Sequence, residues 1–173
     1  MKIETKTIIL KSNGRRITFH NITDQVKDFV KETGLQNGQV TVVSPHTTCS
    51  VIFEEYTHDK DFNGDEYLLV DMSRILDNIV PRELTEGVNY KYPGQKHCDF
   101  LYDLAKIDPS FPADPGTILN GDAHIRASLF GSSETFLVKD GKLMFGATGY
   151  IYFIDFDQNR VRDRKCHIQV MGE

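Results

Sequence analysis

Three segments of the chain place apolar residues at the three- and four-residue intervals of an amphipathic helix. They cover residues 24–34, 65–80 and 120–130. Pro81 follows the second segment directly and Gly131 follows the third, and both residue types commonly end a helix. The pattern therefore predicts three helices in the first three quarters of the chain.

Runs of alternating or β-branched apolar residues predict strands between and after these helices. The runs are residues 5–10, 15–20, 40–43, 49–53, 135–138, 143–145, 150–156 and 165–171. Asn13-Gly14 separates the first two runs and Asp140-Gly141 precedes 143–145, so both places are predicted to form tight hairpin turns. The proline-rich segment 81–119 is predicted to be mostly loop, with one helical turn near residues 99–106.

Strands at both ends with helices between them are typical of an α+β protein. We expect a β-sandwich-like arrangement of mixed sheets, with two or three helices packed on one side. The 173 residues suit one domain spanning 1–173.

Composition narrows the function classes. No stretch reaches the length of about 18 apolar residues that a membrane span requires, and the net charge of −5 argues against nucleic acid as a partner. The N-terminal residues alternate polar and apolar side chains and lack the apolar core of a secretory signal. The 3 cysteines are odd in number and far apart, which favours a reducing compartment. We expect a cytoplasmic protein that binds neither membrane nor nucleic acid.

The segment that begins at His46 carries the first candidate chemistry. In an extended conformation, His46 and Glu54 lie on one polar face, whereas Cys49 points to the apolar side with Val51 and Phe53. Spacing alone favours a strand with a solvated face over a site. Cys49 is more typical of a small core residue than of a nucleophile.

The predicted helix 120–130 carries the second candidate site. His124 and Ser128 are i, i+4 neighbours on the face that also holds Gly121. A helix that opens at Gly121 offers unpaired N–H groups and a positive dipole potential to an anion. The alternative is a capped amphipathic helix whose His124 lies at the surface.

A third histidine, His97, lies in the proline-rich segment. Three histidines from three segments, His46, His97 and His124, would suit zinc with an open position for water or substrate. Arg160, Arg162 and Arg164 alternate near the C-terminus and could hold a phosphate or carboxylate, or could simply guard an edge strand.

Three motifs resemble those of the YjbQ-like family, for which a weak thiamine-phosphate synthase activity has been proposed. His46-Thr47-Thr48-Cys49-Ser50, running into Glu54, is similar to the family's His-Thr-Ser-Ala stretch and its following glutamate. Residues 120–131 are similar to its Asn-x-x-x-His-(Ile/Leu)-(Lys/Arg)-x-Ser-Leu-Leu-Gly, and the tail from Gly141 resembles its final strands. The family's Gly-Thr-Trp-Gln is replaced by Gly146-Ala147-Thr148-Gly149, so this chain resembles a divergent branch.

The resemblance implies an α+β fold, a homotrimer and a bound divalent metal. It implies His46, His97 and His124 as metal ligands, with zinc as the expected ion, or magnesium if the substrate is a diphosphate. Glu54 and His124 would be catalytic. The substrate-binding residues would be Gly121, Arg126 and Ser128.

Two functions are compatible with these residues. In the first, a metal and a helix terminus bind a small phosphorylated substrate, on which the protein acts as a thiamine-phosphate synthase-like transferase. In the second, the same histidines hold a metal or an anion in a trimeric assembly without turnover. The apolar tail at residues 143–156 is a further argument for trimer formation, if one domain cannot cover it.

Overall fold

The computed structural model describes residues 1–111 and 114–173 of the chain. The described residues form eight strands, four α-helices and one short 3₁₀ helix. The strands are β1 Lys2–Lys11, β2 Thr18–Asn21, β3 Gly38–Val43, β4 Cys49–Glu55, β5 Ser133–Lys139, β6 Lys142–Leu143, β7 Gly149–Asp155 and β8 Asp163–Gly172. The helices are α1 Thr23–Thr33, α2 Tyr67–Ile79, α3 Gln95–Ile107 and α4 Gly121–Phe130, and the 3₁₀ helix covers Pro115–Thr117.

The strands form two antiparallel sheets. The five-stranded sheet has the order β1-β8-β3-β5-β6, and the three-stranded sheet has the order β2-β7-β4. The larger sheet, the smaller sheet and α1 share one apolar core, which contains Val40, Ile168, Val51, Phe153 and Val26. The two sheets therefore face each other as the layers of a sandwich.

The smaller sheet is also covered on its other face. A second apolar cluster joins Ile52 and Ile154 of this sheet to Leu76 of α2 and Ala127 of α4. Because both faces of β7 are covered, its residues Ile151–Asp155 are all buried. The molecule thus consists of a five-stranded sheet, a three-stranded sheet and a layer of helices.

The α+β prediction is confirmed, with four helices where two or three were expected and with antiparallel pairing throughout the described strands. The three predicted helices correspond to α1, α2 and α4. The predicted turn at Asp140-Gly141 joins β5 to β6, and both residues have positive φ angles, of 50° and 72°.

The predicted hairpin at Asn13-Gly14 is wrong. β1 pairs with β8 and β2 pairs with β7, so the two strands belong to different sheets. The Asn13 side chain accepts hydrogen bonds from the amides of Arg15 and Arg16, each at 2.9 Å. Asn13-Gly14 does form a turn, but that turn carries the chain from one sheet to the other.

The loop prediction for residues 81–119 is wrong over α3, whose 13 residues extend beyond the one helical turn that was predicted near residues 99–106. Its less exposed positions follow helical spacing, but several are polar or small, among them His97, Cys98 and Ala105. Cys98 is the only buried residue of this helix, and it is still 9% exposed. The apolar signal of this helix was therefore too weak to predict its length.

The prediction of an uncovered apolar tail over 143–156 is wrong for Ile151–Phe156, which lie inside the single chain between its two cores. In the first half of the same tail, Met144 is 56% exposed. The buried half therefore gives no support to the trimer, which stays a prediction. No helix in the described part of the chain combines the length and the hydrophobicity needed to cross a bilayer.

Candidate functional site

A pocket of about 320 Å³ brings together residues from four distant parts of the chain. His46 comes from the turn before β4, His97 from α3 and His124 from α4. Arg160, Arg162 and Arg164 enter it from the segment that leads into β8. We call this cavity the His–Arg pocket.

Local hydrogen bonds explain why the chain turns at His46. Pro45 disfavours a helical conformation at the preceding residue, Ser44. The Ser44 hydroxyl accepts a hydrogen bond from the His46 amide at 3.1 Å. The His46 carbonyl then accepts the Cys49 amide at 3.2 Å. This turn precedes β4, and it places His46 at the end of the smaller sheet, beside the beginning of β8.

Two buried carboxylates organise the arginine wall. Asp155 is 1% exposed and Asp157 is fully buried. The Arg164 guanidinium donates to both oxygens of Asp155, at 2.7 and 2.9 Å, and to the Thr48 hydroxyl at 3.0 Å. The Nη2 atom of Arg162 lies 2.9 Å from the Oδ2 atom of Asp157. The two aspartates thus hold Arg164 and Arg162 in fixed positions.

The wall carries more positive than negative charge. Three arginines face two carboxylates, which leaves 3 − 2 = +1 in a chain whose net charge is −5. Arg160 has no ion pair within the described residues and donates to the Ser110 carbonyl at 3.2 Å. The Nε atoms of Arg160 and Arg162 are buried and lack a hydrogen-bond partner among the described residues. This part of the pocket is suited to an anion.

His46 is a neutral hydrogen-bond donor in this arrangement. Its Nε2 accepts the Lys165 amide at 2.8 Å, so the ring proton lies on Nδ1. Burial, reinforced by the positive charges of Arg164 and Arg162, lowers the pKa of His46 below its usual 6.5.

A chain of hydrogen bonds sets the orientation of His97. Asn120 donates its side-chain NH₂ to Asp157 at 3.2 Å, so its carbonyl oxygen accepts the Tyr92 hydroxyl, also at 3.2 Å. Because the Tyr92 proton is used there, the 3.2 Å contact to His97 requires His97 Nε2–H as the donor. His97 Nδ1 is then the ring atom with an available lone pair.

His124 lies beside the same network, with its ring centroid 5.7 Å from that of Tyr92. Burial lowers the pKa of His124, and the positive charge of Arg162 acts in the same direction. The Asp157 carboxylate and the Thr47 carbonyl partly oppose this effect. The pocket therefore presents His46 and His124 as neutral imidazoles beside fixed arginines.

The three histidines share a pocket without forming a coordination set. Within residues 1–111 and 114–173, no group of three His, Cys, Asp or Glu side chains could hold a metal ion. His46 in particular uses its Nε2 lone pair on the Lys165 amide and carries a proton on Nδ1. The arrangement within one chain does not fit a zinc or magnesium ion, and metal binding through His46, His97 and His124 stays a prediction.

The three residues predicted to bind substrate do not line the pocket. The Gly121 amide donates to the Glu83 carboxylate at 2.6 Å, so the start of α4 is already occupied by an anionic side chain. Arg126 is fully buried and pairs with Asp77 of α2 at 2.8 Å. Ser128 is exposed and donates to the carbonyl of the preceding helical turn at 2.9 Å.

Glu54 does not line the pocket either. It pairs with Tyr150 near the opposite end of β4 from His46, and its carboxylate accepts the Glu55 amide at 2.8 Å. The structure therefore separates the two polar residues that the alternation of β4 placed on one face. The core position predicted for Cys49 is confirmed, since this residue is 1% exposed within the core between the sheets.

Sequence reasoning missed several residues that build the pocket. Tyr92 and Thr48 contact its histidines or arginines, and Asp155 and Asp157 hold the arginine wall. One local signal was present. The carboxylates of Asp155-x-Asp157 alternate in the same way as the arginines that follow them. This matching spacing allows each carboxylate to form an ion pair with an arginine.

Almost the whole chain matches a known protein family. The model of the UPF0047 protein YjbQ-like family matches residues 6–173. The chain belongs to the YjbQ-like family. The UPF0047 protein YugU of Bacillus subtilis is 28% identical over 167 residues, covering 96% of this chain and 98% of YugU. A UPF0047 protein of Archaeoglobus fulgidus is 30% identical over 148 residues, covering 86% and 88% of the two chains.

Solved structures of YjbQ-like proteins have the same fold. A structure from Clostridium acetobutylicum, described as an uncharacterized conserved protein of the YjbQ/UPF0047 family, is 29% identical with a TM-score of 0.67, covering 96% of this chain and 99% of its own. A YjbQ-like protein from Sulfolobus solfataricus matches with a TM-score of 0.70 at 24% identity, covering 99% of each chain. The recognition of the family from its three motifs is confirmed.

Proposed function

We propose that the His–Arg pocket binds one small phosphorylated molecule. The observation that carries this proposal is the unbalanced arginine wall, in which Arg160 lacks a carboxylate partner among the described residues and Arg162 retains a buried Nε without a partner. Forked guanidinium donors fixed by buried carboxylates match the oxygens of a phosphate. In this proposal the anion binds at the arginines, and not at Gly121, Arg126 and Ser128.

The pocket also has an apolar part to its lining. Leu101, Phe111 and Ile118 line it, together with the ring of Tyr92. A ligand that combines a phosphate with an apolar or heteroaromatic body would contact both the arginines and these apolar side chains. Thiamine phosphate and its pyrimidine precursor have this form, as do other small organic phosphates.

The size of the pocket favours one ligand over two. Ligand sites typically measure about 300–1,000 Å³, so 320 Å³ lies at the small end of this range. A synthase that joins two phosphorylated substrates must hold both at once. Binding of a single phosphorylated molecule is therefore our first candidate function, and thiamine-phosphate synthase-like transfer is the second.

If turnover occurs, His124 and His97 are the residues placed to move a proton. Both line the pocket, and the hydrogen-bond chain through Tyr92 and Asn120 leaves His97 Nδ1 available as an acceptor. Glu54 lies outside the pocket, so we assign it no proton transfer within one chain. The trimer and the divalent metal that the family resemblance implies remain proposals, and neither is needed for this binding.

Isothermal titration calorimetry tests the proposal with thiamine phosphate, its pyrimidine diphosphate precursor and inorganic phosphate. We expect thiamine phosphate to bind and Arg160→Ala to weaken its binding by at least about tenfold, since one charge-assisted hydrogen bond contributes about 1.5–3 kcal/mol. Arg74→Ala is the matched control, because Arg74 is exposed and pairs only with Asp71 among the described residues. Absence of heat with all three ligands would refute the phosphate site.

A turnover assay separates the two candidate functions. Incubation of the pyrimidine diphosphate with thiazole phosphate should release diphosphate if the protein is a transferase. Binding without product formation, with and without added zinc or magnesium, would support the non-catalytic alternative. Light scattering of the same samples would show whether the chain is trimeric in either case.

A further inference from the structure

A second cavity lies between α1 and the segment that joins β6 to β7. It measures about 460 Å³, and none of its lining residues lines the His–Arg pocket. Lys27 and Lys31 border it from α1, and Lys142 borders it from β6. We call this cavity the lysine cleft.

The floor of the lysine cleft is aromatic and held in place by its neighbours. Phe145 and Tyr150 line it. The Phe145 ring lies 5.1 Å from the Phe53 ring and 5.6 Å from the Phe136 ring, measured between centroids. Tyr150 lies 5.1 Å from Tyr56. Because these contacts fix both rings, a ligand would meet a preformed surface.

A glycine turn keeps this floor open. Gly149 donates its amide to the Gly146 carbonyl at 3.3 Å, and the turn between them carries only small side chains at Ala147 and Thr148. A Cβ atom on Gly149 would lie 2.0 Å from the Phe53 ring, so glycine at this position allows Phe53 to support Phe145. With only small side chains in the turn, Phe145 and Tyr150 are partly rather than fully buried.

The rim of the cleft is strongly positive. Lys27, Lys31 and Lys142 face a single carboxylate, that of Asp28, which gives 3 − 1 = +2. None of the three lysines forms an ion pair within residues 1–111 and 114–173. Lys27 Nζ lies 5.7 Å from the Phe145 centroid and 6.0 Å from that of Tyr150, so its ammonium group lies over the floor of the cleft. This is a concentrated positive charge in a chain of net charge −5.

We propose that the lysine cleft is a second ligand site, which binds a small aromatic phosphate monoester. The ring of the ligand packs against Phe145 and Tyr150, and its phosphate accepts hydrogen bonds from Lys27, Lys31 and Lys142. A phosphate monoester carries a charge of about −2 at neutral pH, which matches the charge of the rim. The site does not depend on the function of the His–Arg pocket, since the two cavities share no lining residue.

Phenyl phosphate is the probe, and amide NMR spectra of the whole ¹⁵N-labelled chain report where it binds. We expect shifts at Gly146 and Gly149, and about tenfold weaker binding in Lys27→Ala or Lys142→Ala. Inorganic phosphate and phenol, each lacking half of the probe, should bind more weakly than phenyl phosphate. Raising the salt concentration should weaken binding, because exposed lysines hold the phosphate.

Lys60→Ala is the matched control. Lys60 also lies over an aromatic ring, with its Nζ 5.6 Å from the Tyr56 centroid, but it does not line the cleft. This variant should bind phenyl phosphate as the wild type does. Shifts confined to Thr47 and Asn120, or binding that neither lysine variant weakens, would overturn the proposal. So would the absence of any shift at millimolar probe.

Discussion

The guanidinium of Arg164 forms a two-pronged ion pair with the carboxylate of Asp155, at 2.7 and 2.9 Å, and both side chains are at least 95% buried. This pair lies where β8 begins and β7 ends, so it joins the larger sheet to the smaller one. Burial lowers the pKa of Arg164, but Asp155 more than compensates and the net shift is upward. The pair is therefore a fixed part of the fold and a wall of the His–Arg pocket.

Arg164→Ala should destabilise the protein strongly. The substitution leaves Asp155 buried without its cation, and removing one partner of a buried pair typically costs about 3–5 kcal/mol. Urea unfolding followed by circular dichroism would measure the change. Arg74→Ala, which removes an exposed pair of two side chains that are 66% and 60% exposed, is the control and should change stability by less than about 0.5 kcal/mol. Equal effects of both variants would contradict the structural role of Arg164.

Stability should fall as the pH drops below about 6.5. Burial lowers the folded-state pKa of both His46 and His124, so the unfolded chain binds more protons than the folded chain just below the unfolded value of 6.5. The free energy of unfolding therefore rises with pH in that range, and acidification removes the stability that the neutral histidines contribute. Urea unfolding at a series of pH values between 5.5 and 7.5 would show the slope, with these limits set about one unit on either side of the unfolded pKa.

Replacing both histidines separates their contribution from that of the carboxylates. His46→Gln and His124→Gln should each flatten the dependence of unfolding free energy on pH in that window. His58→Gln is the control, because His58 is exposed. If the two buried-site variants retain the full wild-type slope, the predicted titration of His46 and His124 is wrong.

Residue type and local spacing were sufficient to predict part of the site. His46, His97 and His124 belong to motifs or loops that stand out in the sequence, and the structure brings all three to one pocket. Long-range contacts decided the rest. The Gly121 amide donates a hydrogen bond to Glu83, which is 38 residues away in sequence, and Arg126 pairs with Asp77, which is 49 residues away. No spacing rule within one helix could reveal that these two anion-binding candidates already have partners.

The fold shows the same division. The helical spacing of α1 and α2 was readable because each buries apolar residues against a sheet, whereas the only buried residue of α3 is Cys98. In α4 the spacing of Ile125 and Leu129 indicated a helix, but both side chains are exposed, and the helix packs through Ala123 and Ala127 instead. Asn13-Gly14 predicted a turn correctly but not the partners of the strands it joins. Strand pairing depends on cores that form between distant segments, such as β1 with β8 across the whole chain.

Arg126→Ala should reduce stability and leave the intrinsic affinity of the His–Arg pocket unchanged. Arg126 is fully buried, and it donates to the Val80 carbonyl at 2.6 Å and to Asp77 at 2.8 Å, which joins α4 to the end of α2. Loss of these charged hydrogen bonds and of the packed side chain should cost about 2–4 kcal/mol. Ser128→Ala, at an exposed position of the same helix, should change stability by less than about 0.5 kcal/mol.

The two measurements for Arg126 have opposite expectations. Chemical denaturation should show the loss of stability, whereas titration of the folded variant with thiamine phosphate at low temperature should give the wild-type affinity. A selective loss of phosphate affinity without a loss of stability would restore Arg126 as a substrate-binding residue.

Gly121→Ala should affect both the fold and the His–Arg pocket. A Cβ atom at this position would lie 2.9 Å from the Glu83 Oε2 and 3.1 Å from the Tyr92 ring. Either the Glu83 carboxylate, which accepts the Gly121 amide, or the Tyr92 ring, whose hydroxyl contacts Asn120 and His97, must shift. Overpacking of this kind typically costs about 1–3 kcal/mol. A displaced Tyr92 would also change the shape of the pocket that it lines.

Gly116→Ala is the control for this substitution, because among the described residues its Cβ would meet only the Asp114 side chain, at 3.4 Å. We expect Gly121→Ala to lower both the unfolding free energy and the affinity for thiamine phosphate, and Gly116→Ala to lower neither by more than about 0.5 kcal/mol. If Gly121→Ala lowered stability alone, Glu83 would be the residue that yields, and Tyr92 would keep its hydrogen bonds. If neither quantity changed, the close packing of Gly121 against Glu83 and Tyr92 would be refuted, because a Cβ atom cannot be accommodated there without displacing one of them.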